Sequence, residues 1–487
     1  MEPNQQKENL KNKVVGAMLW NSFGKFGTVI ITFISNMVLA RLLMPEDFGY
    51  IGMLSIFISI SDVIAIGGFG QALVQKENPQ HIDYSTVFIW NLFASILLYL
   101  ILFFCAPLIA RFYGMPLLRD ILRVQSLTII IHALVVIQNN QLQKNLRFKE
   151  YATRNVIAAI AGTGVAIVMA FKGFGVWSLV ASSITSGVCS VILLWKMSKW
   201  RPTLEFSWSS FKELFSFGGL IALSDIFEKI YSNIQGLIIG KFFSAKEMGY
   251  YSQAYKLEQV PINTFTQTVA QVSFPLFSAL QSDMHGVQKA LRKNLICLSY
   301  INFPLSAIMI ILSTPLIHLF YGFKWDAAIP YFRIMCLAGM VSSLIAMNLN
   351  VIKGLGKGKI FLFAKLSNRL IGITIIILGA LRGIYGIIWS LVIVSYIELI
   401  IYSIINNKLI GYGLLSQIKD IFNNVLLCVI ASVPTAMLGK YIQWSEFGTM
   451  FIQIVAFALI YWILSIVFHS EAYGVYKEIV LTKFRRK

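Results

Sequence analysis

The sequence predicts an all-α polytopic membrane protein of about 14 transmembrane helices. Three observations predict it. Of 487 residues 57% are hydrophobic and only 13% charged, with mean hydropathy +0.71, against about 25% charged in a soluble domain. The apolar residues fall in blocks of roughly 20 to 27, long enough to cross a hydrocarbon core of ~30 Å as helix. The connecting segments are short, none expected beyond about 20 residues, with Lys196–Glu213 and Ala279–Lys293 the longest. A water-soluble multidomain enzyme is excluded, and so is a disordered chain.

The first block, 14–40, follows a polar stretch over 1–13 and is too long for a signal peptide, so it is read as an uncleaved first span. Blocks 48–74, 84–110, 121–141, 152–171 and 174–195 follow. The second closes in Gly67-Gly68-Phe69-Gly70, which is no complete phosphate loop and is read as a close-packing or hinge element. A second series runs over 214–240, 250–276, 294–319, 328–352, 358–381 and 384–405, and two last blocks over 421–440 and 449–468. The fourth and tenth blocks carry more polar residues than the others. Pro261, Pro275, Pro304 and Pro434 fall inside spans, where they free backbone carbonyls and permit kinks.

Formal net charge is +19. In a chain of this class the excess is the loop bias that orients membrane proteins, and no nucleic-acid partner is expected. With the N-terminus inside, the inside segments hold 26 of the 41 Lys and Arg, the outside segments 10, and the spans five. Both termini are therefore expected in the cytoplasm. The five cysteines lie in or at the ends of apolar blocks, their number is odd and no C-x-x-C occurs. They are read as free buried thiols, with no disulfide framework and no metal site. No cofactor is expected: there is no Walker lysine loop, no D-x-D and no H-E-x-x-H.

The chain repeats itself. Leu39 to Tyr50 matches Ile239 to Tyr250, Pro107 to Gly114 matches Pro315 to Gly322, and Trp177 to Val180 matches Trp389 to Val392, at offsets of 200, 208 and 212. Each match has the same rank in its half. A unit of six spans, an even number, implies two bundles in parallel repeat with a substrate path between them. The expected organisation is a tail over 1–13, six-helix lobes over 14–199 and 214–407 joined by a linker over 200–213, helices 13 and 14 over 408–470, and a basic tail over 471–487.

A charge at the bilayer midplane costs ~2.5–3.5 kcal/mol and needs a partner or a wet cavity. Lys25 lies ~16 Å into its span. Asp62 is central in span 2, and Asp225, Glu228 and Lys229 are central in span 7, while Lys256 and Glu258 lie toward the outer part of span 8. Lys25 and Lys229 are candidate substrate contacts, and Asp62, Asp225 and Glu228 are candidates for ion coupling. The alternatives are pairing of Asp225 with Lys229 at i,i+4 and of Lys25 with Asp62 between neighbouring helices. Arg369 and Glu398, in adjacent spans, are read as a structural ion pair. Arg123 and Arg333 occupy similar places near the outer ends of spans 4 and 10, as interfacial arginines or as outer phosphate contacts. His132 and His318 are read as satisfied core or interface histidines.

The stretch Val38-Leu39-Ala40-Arg41-Leu42-Leu43-Met44-Pro45-Glu46-Asp47-Phe48-Gly49 resembles the "ARLL-x-P-x-D-F-G" signature of bacterial polysaccharide-biosynthesis membrane proteins. These are the Wzx-type lipid-linked oligosaccharide flippases of the multidrug/oligosaccharidyl-lipid/polysaccharide exporter superfamily. Gly67 to Gln75, Phe112-Tyr113-Gly114 and Gln138-Asn139-Asn140 resemble the colanic-acid and teichuronic-acid exporter branch. The resemblance covers nearly the whole chain. It implies a V-shaped bundle of two lobes with a cationic cavity, in the bacterial cytoplasmic membrane. The implied substrate is undecaprenyl-pyrophosphate carrying a short oligosaccharide, moved between leaflets among membrane lipid. A polysaccharide polymerase and glycosyltransferases are the implied pathway partners. A lipid-II-type flippase and a drug/cation antiporter of the same superfamily are the alternatives, with a membrane enzyme of polysaccharide assembly the alternative from another class. An acyltransferase would have only His132 and His318 as intramembrane histidines.

Overall fold

In hydrocarbon an α-helix satisfies every backbone polar group within its own segment, so the apolar blocks fold as helices. The computed structural model describes residues 3–198, 200–442 and 444–485, with side chains except at 3–19, 21–23, 263, 265, 268, 271, 272 and 479–485. Among the described residues all regular elements are helical. Among the same residues, twelve helical stretches are long and apolar enough to cross a membrane. The spans expected at 214–240 and 250–276 fall outside those twelve. They are present as helices of 35 residues each, Trp208–Phe242 and Ala245–Ala279, about 52 Å long at ~1.5 Å per residue. They are the helices that carry Asp225, Glu228, Lys229, Lys256 and Glu258.

The chain forms two compact units that divide at Gly249 and Tyr250. The first contains α1 (Pro3–Leu42), α2 (Pro45–Ile66), α3 (Phe69–Gln75), α4 (His81–Tyr113), α5 (Leu117–Gln125), α6 (Leu127–Ala133), α7 (Val136–Lys144), α8 (Phe148–Phe171), α9 (Val176–Met197) and α10 (Trp208–Phe242). The seventh span thus packs with the first six, beside α2, α3 and α4. Two expected single spans are broken: the second is α2 plus α3, and the fourth is α5, α6 and α7. Small residues set the close approaches, as they do between membrane helices. Gly24 of α1 packs on Ala152 of α8, and Gly162 of α8 on Ser182 and Ser186 of α9.

The chain continues through α11 (Ala245–Ala279), whose first turn belongs to the first unit. The rest of the second unit is α12 (Met284–Ile311), α13 (Ser313–Phe320), α14 (Ala328–Gly354), α15 (Gly358–Ala380), α16 (Ile384–Ile410), α17 (Leu414–Tyr441), α18 (Glu446–Val467) and α19 (Glu471–Arg485). The loop expected over Ala279–Lys293 shrinks to 280–283, because Asp283 caps α12 by accepting from the Gly286 N–H at 2.9 Å. The linker expected to end at Glu213 ends at Ser207, which caps α10. Part of the tail expected over 471–487 is a helix. Arg292 of α12 grips Glu471 of α19 with two bonds of 2.7 Å and Asp420 of α17 at 3.0 Å. Inside the unit, Asn348 and Gln417 exchange amide hydrogen bonds of 2.9 and 3.0 Å, and Asn406 donates to Asn348 Oδ1 at 2.7 Å. That network joins α14, α16 and α17.

The internal repeat recurs as contacts. Tyr113 donates its hydroxyl to the Met53 carbonyl at 3.2 Å, and Tyr321 donates to the Gln253 carbonyl at 3.4 Å. Met53 and Gln253 are repeat-equivalent at the offset of 200. Arg123 and Arg333 each reach back 20 residues, to the Phe103 carbonyl and to the Ser313 hydroxyl.

Candidate functional site

The second span breaks because its sequence supplies two glycines where the helix must stop. Gly67 has φ +56° and Gly68 φ +67°, consecutive left-handed conformations that only glycine takes without strain. Packing requires glycine as well. A Cβ on Gly68 would sit 2.3 Å from the Gly218 carbonyl oxygen of α10. This is the close-packing role expected of the motif. Non-helical backbone at membrane depth is tolerated where it lines a cavity, and Gly67 and Gly68 do so.

The cavity lies within the first unit and has a volume of about 550 Å³. One wall is α2 and α3, with Ser59, Asp62, Gln71 and Gln75; α7 contributes Asn140 and Gln143; α10 contributes Phe217, Asp225 and Lys229. A polar seam fixes α10 against α2. Ser55 donates to Asn233 Oδ1 at 3.0 Å, and Asn233 Nδ2 donates to the Lys229 carbonyl at 2.8 Å.

Asp62 pairs with His132 of α6, not with Lys25. Both carboxylate oxygens lie 3.1–3.2 Å from His132 Nδ1. His132 is thus a satisfied histidine, as expected, but its partner is one of the candidate coupling residues. Asp225 and Lys229 share the cavity without forming the i,i+4 pair that was the alternative to a functional role: among the described residues neither has an ion-pair partner. Glu228 lies outside the lining, half-buried on α10.

The other candidates are elsewhere. Lys25 is exposed on α1. Arg123 stacks on Phe103 at 4.4 Å and donates to its carbonyl at 3.3 Å. Arg333 is held by Ser313 Oγ at 2.5 Å and Thr314 Oγ1 at 3.1 Å. Arg369 Nη1 lies 4.0 Å from Glu398 Oε2, whose other oxygen accepts from the Tyr402 hydroxyl at 3.0 Å. His318 bridges two carboxylates, Glu446 at 2.7 Å and Asp326 at 2.6 Å.

Two features are not legible in the sequence pattern. Arg154, near the start of the block 152–171, is only 9% exposed inside α8, donating to Asn139 Oδ1 at 2.7 Å and facing the Tyr151 ring at 5.1 Å. The carboxamides of the cavity wall were not singled out one by one. Gln71, Gln75 and Asn140 do occur in the motif stretches, and amides on otherwise apolar helices were the available signal.

Residues 38–330 match the family described as "Polysaccharide biosynthesis protein". The chain is 22% identical over 421 residues to the teichuronic acid biosynthesis protein TuaB of Bacillus subtilis (strain 168), covering 86% of each chain. It is 26% identical over 388 residues to the succinoglycan biosynthesis transport protein ExoT of Rhizobium meliloti (strain 1021), covering 79% of this chain and 78% of the relative. Its fold superposes on that of the lipid II flippase MurJ in an inward closed conformation. The TM-score is 0.77 at 17% identity, over 93% of this chain and 99% of the other.

Proposed function

The chain belongs to the polysaccharide biosynthesis protein family, and we propose that it carries an undecaprenyl-pyrophosphate-linked oligosaccharide from the inner to the outer leaflet of the cytoplasmic membrane by alternating access. The observation that carries this is a cavity that holds Asp62, Asp225, Lys229 and several carboxamides inside helices whose outer faces are apolar, Phe104, Phe171, Leu220 and Phe363 each being more than 70% exposed. A pyrophosphate and its sugars cannot enter hydrocarbon unaided. A polar path through the protein carries the head while the lipid tail stays in the bilayer. The names of ExoT, a succinoglycan biosynthesis transport protein, and TuaB, a teichuronic acid biosynthesis protein, agree with this reading.

In it, Lys25, Arg123 and Arg333 meet the pyrophosphate at successive stages, since cations offset the desolvation of phosphate, and Lys229 contacts the substrate from the cavity wall. Asp62, Asp225 and Glu228 couple transport to ion entry. An inside-negative potential favours outward movement of an anion by ~2.3 kcal/mol per charge per 100 mV. Both termini are cytoplasmic, the protein performs no bond chemistry, and glycosyltransferases and a polymerase act before and after it.

The test is the lipid pool of a deletion strain. One intact lipid-linked repeat unit should accumulate on the cytoplasmic leaflet, and a normal pool with polysaccharide still made would overturn the proposal. Lys25→Ala should abolish export. Unimpaired export by that variant would favour a drug/cation antiporter.

A further inference from the structure

Charge balance decides what the cavity suits. Among the described residues, Asp62 and Asp225 face it against one cation, Lys229. Counting His132 on Asp62 as neutral or protonated, the formal balance is minus one or zero. A pyrophosphate offers only acceptors and negative charge, and such a wall has no net positive charge to offset its desolvation.

The uncharged wall combines apolar side chains, Val63, Ile66, Val74 and Val136 among them, with carboxamides that both donate and accept. Gln71, Gln75 and Gln143 line the cavity, and among the described residues their side-chain amides make no hydrogen bond to the protein. The Asn140 amide nitrogen packs on Gly70 and is also without a partner. Each carboxamide presents one acceptor oxygen and two donor hydrogens. Carboxylates accept from neighbouring hydroxyls, and Phe217 adds an apolar face. The volume lies within the ~300–1,000 Å³ of small-molecule sites. Hydroxyl-rich, uncharged rings match this wall; a polyanion does not.

We infer that this cavity receives the sugar portion of the substrate through its hydroxyl groups, while the pyrophosphate is held elsewhere. The inference rests on the reading of the chain as a carrier of lipid-linked oligosaccharide, and it assigns one part of that substrate to one site. Gln71, Gln143 and Asp225 are then specificity-determining residues for the glycan.

The experiment uses the full chain in lipid nanodiscs. The probe is the free oligosaccharide released by mild acid from the lipid-linked repeat unit of the deletion strain. Binding is measured by calorimetry against sodium pyrophosphate and tetraphenylphosphonium as competitors. The expected result is saturable binding of the oligosaccharide, unaffected by pyrophosphate. Gln71→Leu and Gln143→Leu should each weaken it about tenfold, or ~1.4 kcal/mol, with unchanged elution in size exclusion. Asp225→Asn should weaken it as well.

Competition by pyrophosphate, or glutamine variants within twofold of the parent, would overturn the inference. So would tetraphenylphosphonium binding that Asp225→Asn abolishes while the sugar does not bind; that outcome marks a cation site. Failure of the carrier reading is a separate result. It would show as absence of any accumulated lipid-linked oligosaccharide in the deletion strain, whereas accumulation without sugar binding would remove only the cavity assignment.

Discussion

Gly49→Ala is the sharpest structural test. A Cβ at Gly49 of α2 would lie 1.7 Å from the Ala245 carbonyl oxygen and 2.5 Å from its carbon. The relation is reciprocal, because a Cβ at Gly249 would lie 1.9 Å from the Pro45 carbonyl oxygen. These four residues are repeat-equivalent in pairs, Gly49 with Gly249 and Pro45 with Ala245. Ordinary contact needs well over 3 Å, so either alanine must push α2 and the first turn of α11 apart by about 1.5 Å. A gap of 0.5–1 Å already forfeits about a quarter to a half of a dispersion contact. The packing of Met248 on Gly52 and Gly236 would loosen as well. Overpacking of this kind costs about 1–3 kcal/mol, and the clash with backbone puts it at the upper end. Both alanines demand the same separation. Gly49→Ala with Gly249→Ala should therefore cost about as much as one alone, a non-additive result that marks a shared contact. The assay is the apparent Tm of purified protein at fixed scan rate, because such proteins commonly unfold irreversibly. A Gly49→Ala protein with the parent's Tm, or a double variant with the sum of the two losses, would refute the reasoning.

Tyr113→Phe and Tyr321→Phe each remove one hydroxyl-to-carbonyl bond at equivalent positions; each should lower stability by about 1 kcal/mol, and a large inequality in thermal unfolding would speak against the repeat. His318→Ala removes two short bonds that tie α13 to α18 and to Asp326; a loss of about 1.5–3 kcal/mol is expected for bonds to charged groups, and an unchanged apparent Tm would show them to be dispensable. Lys76, in the loop after α3, is partly buried, which opposes its charge, but its bonds to Glu213 at 3.0 Å and Asp83 at 3.2 Å outweigh burial and raise its pKa above 10.5. Its contribution is then fully present below pH 10.5 and lost as pH rises through the raised folded value. Parent protein should lose an increment of thermal stability above that pH that Lys76→Met lacks, and parallel pH profiles would contradict it.

The amino-acid sequence by itself determined the class, the approximate places of most spans and the repeat, because these depend on local composition and on period. A block of about 20 apolar residues has one stable form in a bilayer, whatever packs beside it. The Leu39–Tyr50 and Ile239–Tyr250 stretches carried the repeat for the same reason. Pairing was different. The linear map left two pairings open, Asp225 with Lys229 at i,i+4 and Lys25 with Asp62 between neighbouring helices. Only the packing of α6 beside α2 gives Asp62 to His132, and only the Gly67–Gly68 break turns α3 toward α7 so that Gln71 and Gln143 share one space. Arg154 shows the limit most plainly. Its neighbours in sequence are polar and place it at a span end, yet the approach of α7 and α9 buries it against Asn139 and Ser190. Burial and partner choice are properties of several helices at once, and no window along one of them contains that information.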